Sequence, residues 1–144
     1  MRLIVPVALA CLLAACAPPP PAAPPTPAVQ ACTGLRGDPG ITARLYFGRT
    51  QKGGQMITEA EWQKFLAEKV TPRFPSGFTI IQTAGQWQQR STGRIIQQPS
   101  TVIEIAAPRD ADTIWKFEEI RADFRQAFGQ ESVGLVATEN CFSF

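Results

Sequence analysis

Four cysteines, no histidine and a scatter of carboxylates make up most of the chemistry open to this 144-residue chain. Without histidine there is no Ser-His-Asp or Cys-His nucleophile, no imidazole ligand for zinc or iron, and no side chain that ordinarily titrates near neutrality. Gly129-Gln130-Glu131-Ser132-Val133-Gly134 has the wrong spacing for a G-x-S-x-G nucleophile elbow. Asp110-x-Asp112 opens like a calcium loop but runs into Ile114 without the later oxygen ligands, so it reads as a helix cap. On these grounds no catalytic residue, metal ligand or cofactor is assigned.

The cysteines say more. Arg2, the apolar run Leu3 to Leu12 and Leu13-Ala14-Ala15-Cys16 have the build of a secretion signal that ends in a lipobox. The thiol of Cys16 accepts a diacylglycerol, and small residues before it fit the peptidase that frees its amine for another acyl chain. Two or three chains meet the requirement for stable anchoring. Other readings are an ordinary signal cut after an Ala-x-Ala site, an uncut anchor, and lipidation at Cys11. The apolar stretch, about 14 residues, falls short of the roughly 20 a spanning helix needs. Ala8-Leu9-Ala10 is a poorer box and leaves Cys11 almost no apolar run. Residues 1–15 therefore read as a lipoprotein signal peptide and Cys16 as the lipidated residue, which places the product in the cell envelope on the periplasmic side. In a Gram-negative host the uncharged Ala17 points to the outer membrane.

Residues 16–31 form the lipidated cysteine and a tether, with seven prolines and no charge after Cys16. Such a segment favours polyproline II at about 3.1 Å per residue, a spacer of roughly 45 Å. Its P-x-x-P patterns also fit a ligand for a proline-binding domain, but those domains are chiefly cytosolic, and the spacer reading is preferred. Cys11 leaves with the signal and Cys16 carries lipid, so Cys32 and Cys141 remain to pair in an oxidising compartment. There is no C-x-x-C spacing to suggest a reactive thiol pair.

Residues 32–144 suit one domain. Near-neutral, well-mixed charge argues against a nucleic-acid surface. Thr42 to Gly48 alternates as a strand, and Lys52-Gly53-Gly54 turns the chain. Thr58-Glu59-Ala60-Glu61 is a capping box with Ile57 and Trp62 placed as a staple. Trp62, Phe65, Leu66 and Val70 make one helical face, which Pro72 ends. Phe78 to Gln88 and Arg94 to Ala106 read as a hairpin, with Pro99 suggesting a bulge. Asp110 or Asp112 caps a second helix with Phe117, Ile120, Phe124 and Ala127 or Phe128 inward and Gly129 at its end. Ser132 to Thr138 is the last strand. The order β-α-β-β-α-β predicts an α+β, ferredoxin-like domain: a four-stranded antiparallel sheet with both helices on one face. Strands one and three are central, and strand four lies antiparallel to strand one, which brings Cys32 and Cys141 together.

That topology leaves one sheet face without helices. Arg44 and Tyr46 on strand one, and Val102 and Glu104 on strand three, point to it. With those strands in parallel register, Glu104 lies near Tyr46 with Arg44 diagonal. This cluster reads either as a binding face or as cross-strand pairing that suits a solvated surface. Trp87, among Gly85, Gln86, Gln88 and Gln89, reads as an aromatic platform or as ordinary sheet packing. Trp62 is a core residue and Trp115 half-exposed; Arg73 binds an anion or ties its loop to backbone carbonyls. The RNA-recognition motif shares the topology, but Ser100 to Ala106 lacks its stacking aromatics.

L-Y-F-G-R (45–49), I-T-E-A-E-W-Q-K-F-L-A-E-K-V-T-P-R-F-P-S-G (57–77), G-Q-W (85–87) and F-G-Q-E-S-V (128–133) resemble domain-of-unknown-function family 3574. The resemblance covers about residues 40–144 and implies a small exported bacterial protein, often a lipoprotein; it carries over no catalytic residue. The expected function is a non-catalytic module, tethered through its lipid, that binds an envelope protein or a second copy of itself. The alternative is a small histidine-independent enzyme with a cavity at a dimer interface, using Glu104, Tyr46 and Arg44.

Overall fold

A computed structural model describes Cys32 and residues 34–144. The segment read as a signal peptide, the expected lipidation site Cys16 and the stretch read as a tether lie outside the described residues.

Strand β1, Asp38–Gly48, starts ahead of the alternating stretch because its first residues pair with the end of the chain. Pro39 lies opposite Cys141, and the Cys32–Cys141 disulfide closes there with 5.1 Å between Cα atoms. Helix α1, Glu59–Phe65, is started by the expected capping box. Thr58 Oγ1 accepts from the Glu61 N–H (3.2 Å), and the Glu61 carboxylate accepts from the Thr58 N–H (2.8 Å). The helix continues as a π-helical turn, Leu66–Val70, whose wide ring is closed by the Thr71 N–H on the Leu66 carbonyl at 2.8 Å. Pro72 follows directly.

Strands β2, Thr79–Gln88, and β3, Ile95–Ala107, form the hairpin. Helix α2, Ala111–Phe128, is capped by Asp110, which accepts from the Thr113 N–H at 2.7 Å. Gly129 ends it in the left-handed conformation, at φ 63°. Strand β4, Gly134–Phe142, runs past Thr138 for the same reason that β1 starts early: β1 pairs with it as far as Phe142. The strand order is β2-β3-β1-β4 with every neighbouring pair antiparallel, the ferredoxin-like arrangement.

The core lies between the sheet and the two helices. Ala43, Leu45 and Phe47 of β1 and Ile103 and Ile105 of β3 meet Trp62, Phe65, Phe117, Ile120 and Phe124. Phe47 is the hub, with ring centroids 5.4 Å from Trp62 and 4.8 Å from Phe124 in edge-on contacts.

Two expectations are corrected. β1 and β3 are antiparallel, not parallel: α1 returns the chain so that β2 runs with β1, and the hairpin then reverses β3 between them. Glu104 is therefore directly opposite Arg44, and Tyr46 is opposite Val102. Pro99 makes no bulge either, and the β2–β3 register is continuous through Ala84↔Pro99. The Pro99 carbonyl accepts from the Arg49 N–H (2.9 Å), so its missing N–H would have faced Arg49. The Arg49 carbonyl already accepts from Ile57 at 2.8 Å, and nothing is lost.

Candidate functional site

The open face carries Arg44 and Tyr46 on β1 and Glu104 on β3, with Trp87 further along on β2. Arg44 Nε donates to Glu104 Oε2 at 2.5 Å. The Glu104 carboxylate, through that bond and its charge, holds the Arg44 guanidinium above its ordinary pKa. The two charges serve each other on the solvated surface. Val102 was expected on display but is only 5% exposed. The register sets Tyr46 on one side of it and Ile81 on the other, both larger side chains on the same face.

Tyr46 and Trp87, 39% and 41% exposed, belong to a different feature. Both line a cleft of about 720 Å³ at the hairpin end of the sheet, whose lining includes neither Arg44 nor Glu104. Its floor is sheet backbone at Gly48, Gly85 and Gly134. One wall is the turn Thr50–Gly54 after β1, and the other is Gly129–Ser132 after α2. Gln98, Gln130 and Ser132 supply amides and a hydroxyl, and Glu131 supplies a carboxylate. Gln86 turns its amide to the other face, where it accepts from Gln97 Nε2 at 2.5 Å, and the buried Ser100 hydroxyl donates to the Phe47 carbonyl at 3.0 Å.

The local chemistry that holds these walls is visible. The Gln130 side-chain amide donates to the Thr50 carbonyl and so bridges the two walls. Arg121 Nε donates to the Val133 carbonyl at 3.0 Å, fixing the segment after α2 to its helix. A β-carbon at Gly48 would meet the Gln98 amide, so that flexible side chain would have to move aside. At Gly85 a β-carbon would touch only Ser100, at 3.8 Å, and at Gly134 it would press on Tyr46.

Arg49 was not singled out from the sequence. It is buried, 7% exposed, at the base of the turn that forms the first wall. Its Nη1 donates to Thr101 Oγ1 (3.2 Å), and its Nη2 to the Ile57 carbonyl and to Glu59 Oε2 (both 3.3 Å). Its guanidinium carbon stands 4.8 Å from the centre of the Trp62 ring. The Gln63 amide, and then Arg49, hold the Glu59 carboxyl below its usual range. The signal was available: 43, 45, 47 and 49 alternate inward, so an arginine at 49 enters the helix side of the sheet.

The remaining candidates take structural places. Trp62 is fully buried and Trp115 exposed. Arg73 Nη1 donates to the Lys69 carbonyl at 2.7 Å, and its Nη2 lies 3.0 Å from Asp123 and 3.5 Å from Glu119, tying the turn after α1 to α2. Among the described residues, no three of Cys, Asp and Glu converge as a metal-binding group.

Two solved structures are similar in fold. A phage SAM lyase in complex with S-methyl-5'-thioadenosine matches with a TM-score of 0.60 and 18% identity, over 72% of this chain and 85% of that one. A phage SAM lyase in its apo state matches with a TM-score of 0.55 and 18% identity, over 73% and 86%. No curated protein matches in sequence. The model of the family described as "Protein of unknown function (DUF3574)" matches residues 42–144, which take in all of the domain except its first few residues, and the chain belongs to that family.

Proposed function

We propose that the chain is a lipid-anchored envelope protein whose exported domain is a binding module, with its site in the cleft between Tyr46 and Trp87. The cleft carries this reading. Its volume, about 720 Å³, lies in the range of roughly 300 to 1,000 Å³ usual for small-molecule sites. Two aromatic side chains offer stacking surface, and the Gln98 and Gln130 amides and the Ser132 hydroxyl offer hydrogen bonds to a polar edge. The occupant that fits is a small molecule with a planar ring and polar substituents. S-methyl-5'-thioadenosine, bound by one phage SAM lyase of like fold, has that chemistry.

A second reading, a small enzyme, draws on two observations. Both similar structures are phage SAM lyases, and Glu131 is a carboxylate among the cleft residues. One experiment separates the readings. The full chain in detergent is incubated with S-adenosylmethionine or S-methyl-5'-thioadenosine, and followed by thermal denaturation and by mass spectrometry of the small molecules. A raised Tm without turnover supports the binding module; loss of S-adenosylmethionine above a protein-free control supports the enzyme. Neither effect, at millimolar concentrations of both, would remove this ligand class. Anchoring is tested separately with an alkyne fatty acid, which should label the wild type and leave Cys16→Ser unlabelled.

A further inference from the structure

Beside the cleft, β2 is an edge of the sheet with no further strand beside it among the described residues, and it lacks the devices that usually keep an edge strand from pairing. Its ten residues, TIIQTAGQWQ, contain no charge and no proline. The opposite edge strand, β4, carries Glu139, paired with Arg109 at 3.0 Å. Neither face of β2 is covered: Ile80, on the helix side, is 40% exposed, and Ile81, on the open side, is 43% exposed.

The backbone geometry is equally open. The Pro99 carbonyl turns toward Arg49, so odd-numbered residues of β3 bond toward β1 and even-numbered ones toward β2. Through the β2–β3 register, the odd-numbered residues of β2 face β3. Ile80, Gln82, Ala84, Gln86 and Gln88 then aim their N–H and C=O groups off the sheet.

We infer that β2 pairs antiparallel with β2 of a second copy, about a two-fold axis at Ala84, joining the two sheets into one. A two-fold contact must be self-complementary, and this strand meets that condition. Pairing about Ala84 sets Gln82 against Gln86 and Ile80 against Gln88, all with their bonding groups outward. On the open face it sets Ile81 against Trp87, a branched aliphatic against an aromatic, a favourable cross-strand pair. Every facing residue is neutral, so no like charges meet. Arg90 and Arg94, in the hairpin turn and just after it, are carried past the paired segment. Because Gly85 and Trp87 line the cleft, the second copy places its own Thr83 and Ile81 beside that cleft and extends its wall.

The test uses the full chain in native envelopes. Antiparallel partners that exchange backbone hydrogen bonds lie about 5.5 Å apart at Cα, within disulfide range. Ala84→Cys should therefore give a disulfide-linked homodimer on mild oxidation, and Thr138→Cys, on the opposite edge, should not. Ala84→Lys places two ammonium groups at the axis and should turn a dimer into a monomer by sedimentation in detergent, one that still unfolds cooperatively and whose Tm no longer depends on protein concentration. The inference is overturned if Ala84→Cys gives no homodimer or links only to a different protein. It is equally overturned if Thr138→Cys dimerises as well, or if Ala84→Lys stays as dimeric as the wild type. No readout involves a ligand, so failure here leaves the cleft reading standing.

Discussion

Tyr46 lies against the backbone of Gly134, its partner across the β1–β4 ladder: a methyl group on Gly134 would stand 3.3 Å from Tyr46 Cβ and 3.5 Å from its ring Cδ2. Both residues line the cleft, so this contact fixes one aromatic wall. Gly134→Ala should push the half-exposed ring aside. The clash and the entropy gained from removing a glycine oppose each other, so stability should move by less than about 1 kcal/mol. Affinity for a cleft ligand should fall. Chemical denaturation and a binding isotherm check the two parts; unchanged affinity would mean that Tyr46 is not a wall of the site.

Arg49 anchors the turn that forms the first wall. Arg49→Ala leaves a buried hole and strips partners from Thr101 and the Ile57 carbonyl, at an expected cost of roughly 2 to 4 kcal/mol. Arg49→Lys should recover less than half of that, because an ammonium group cannot make the planar fork. Urea denaturation of the three proteins measures this directly. A lysine variant as stable as the wild type would contradict it.

Acid should unfold the domain through its helix caps. The Thr113 N–H holds the Asp110 carboxyl below its ordinary pKa, and the Thr58 hydroxyl and N–H do the same for Glu61. A carboxyl depressed in the folded state contributes stability that is complete above its unfolded pKa, about 4, and disappears as pH falls through the lower folded value. With no histidine in the chain, the Tm should change little between about pH 5 and 8 and drop below that. Asp110→Asn with Glu61→Gln should flatten the acid limb. An acid limb as steep as the wild type's would place the sensitivity elsewhere.

The Cys32–Cys141 bond joins residues 109 apart. Closing a loop of that length stabilises a fold by roughly 4 to 5 kcal/mol. The Cys32→Ser, Cys141→Ser variant should lose about that much in urea, and reducing agent should bring the wild type to the same midpoint. Two free thiols in the protein isolated from cells without reductant would overturn the assignment.

What could be read in the sequence was what neighbours along the chain decide. Thr58 and Asp110 cap their helices, and Gly129 ends α2, through contacts within a few residues. The disulfide was legible because the compartment expected from the N-terminal segment and the expected strand adjacency both pointed to the same pair of cysteines. Strand direction was the weak point. Reading β3 parallel to β1 set Glu104 near Tyr46, whereas the antiparallel ladder sets it against Arg44, with which it forms an ion pair. Val102 and Pro99 failed for a related reason: their surroundings come from strands distant in sequence. The cleft escaped notice because glycines and two loops build it, and none of these residue types announces chemistry. Of the four residues expected on the binding face, Tyr46 and Trp87 line the cleft together, and Arg44 and Glu104 lie apart from it.

The central claim, that the cleft between Tyr46 and Trp87 is the binding site, is tested most directly by titrating the isotope-labelled full chain in detergent with S-methyl-5'-thioadenosine and following backbone amide shifts. The account predicts saturable shifts concentrated at Gly48, the turn Thr50–Gly54, Gly85 and Gly134, lost in Tyr46→Ala, Trp87→Ala. Saturable shifts centred on Arg44 and Glu104 or on the helices, or none at any concentration reached, would contradict it.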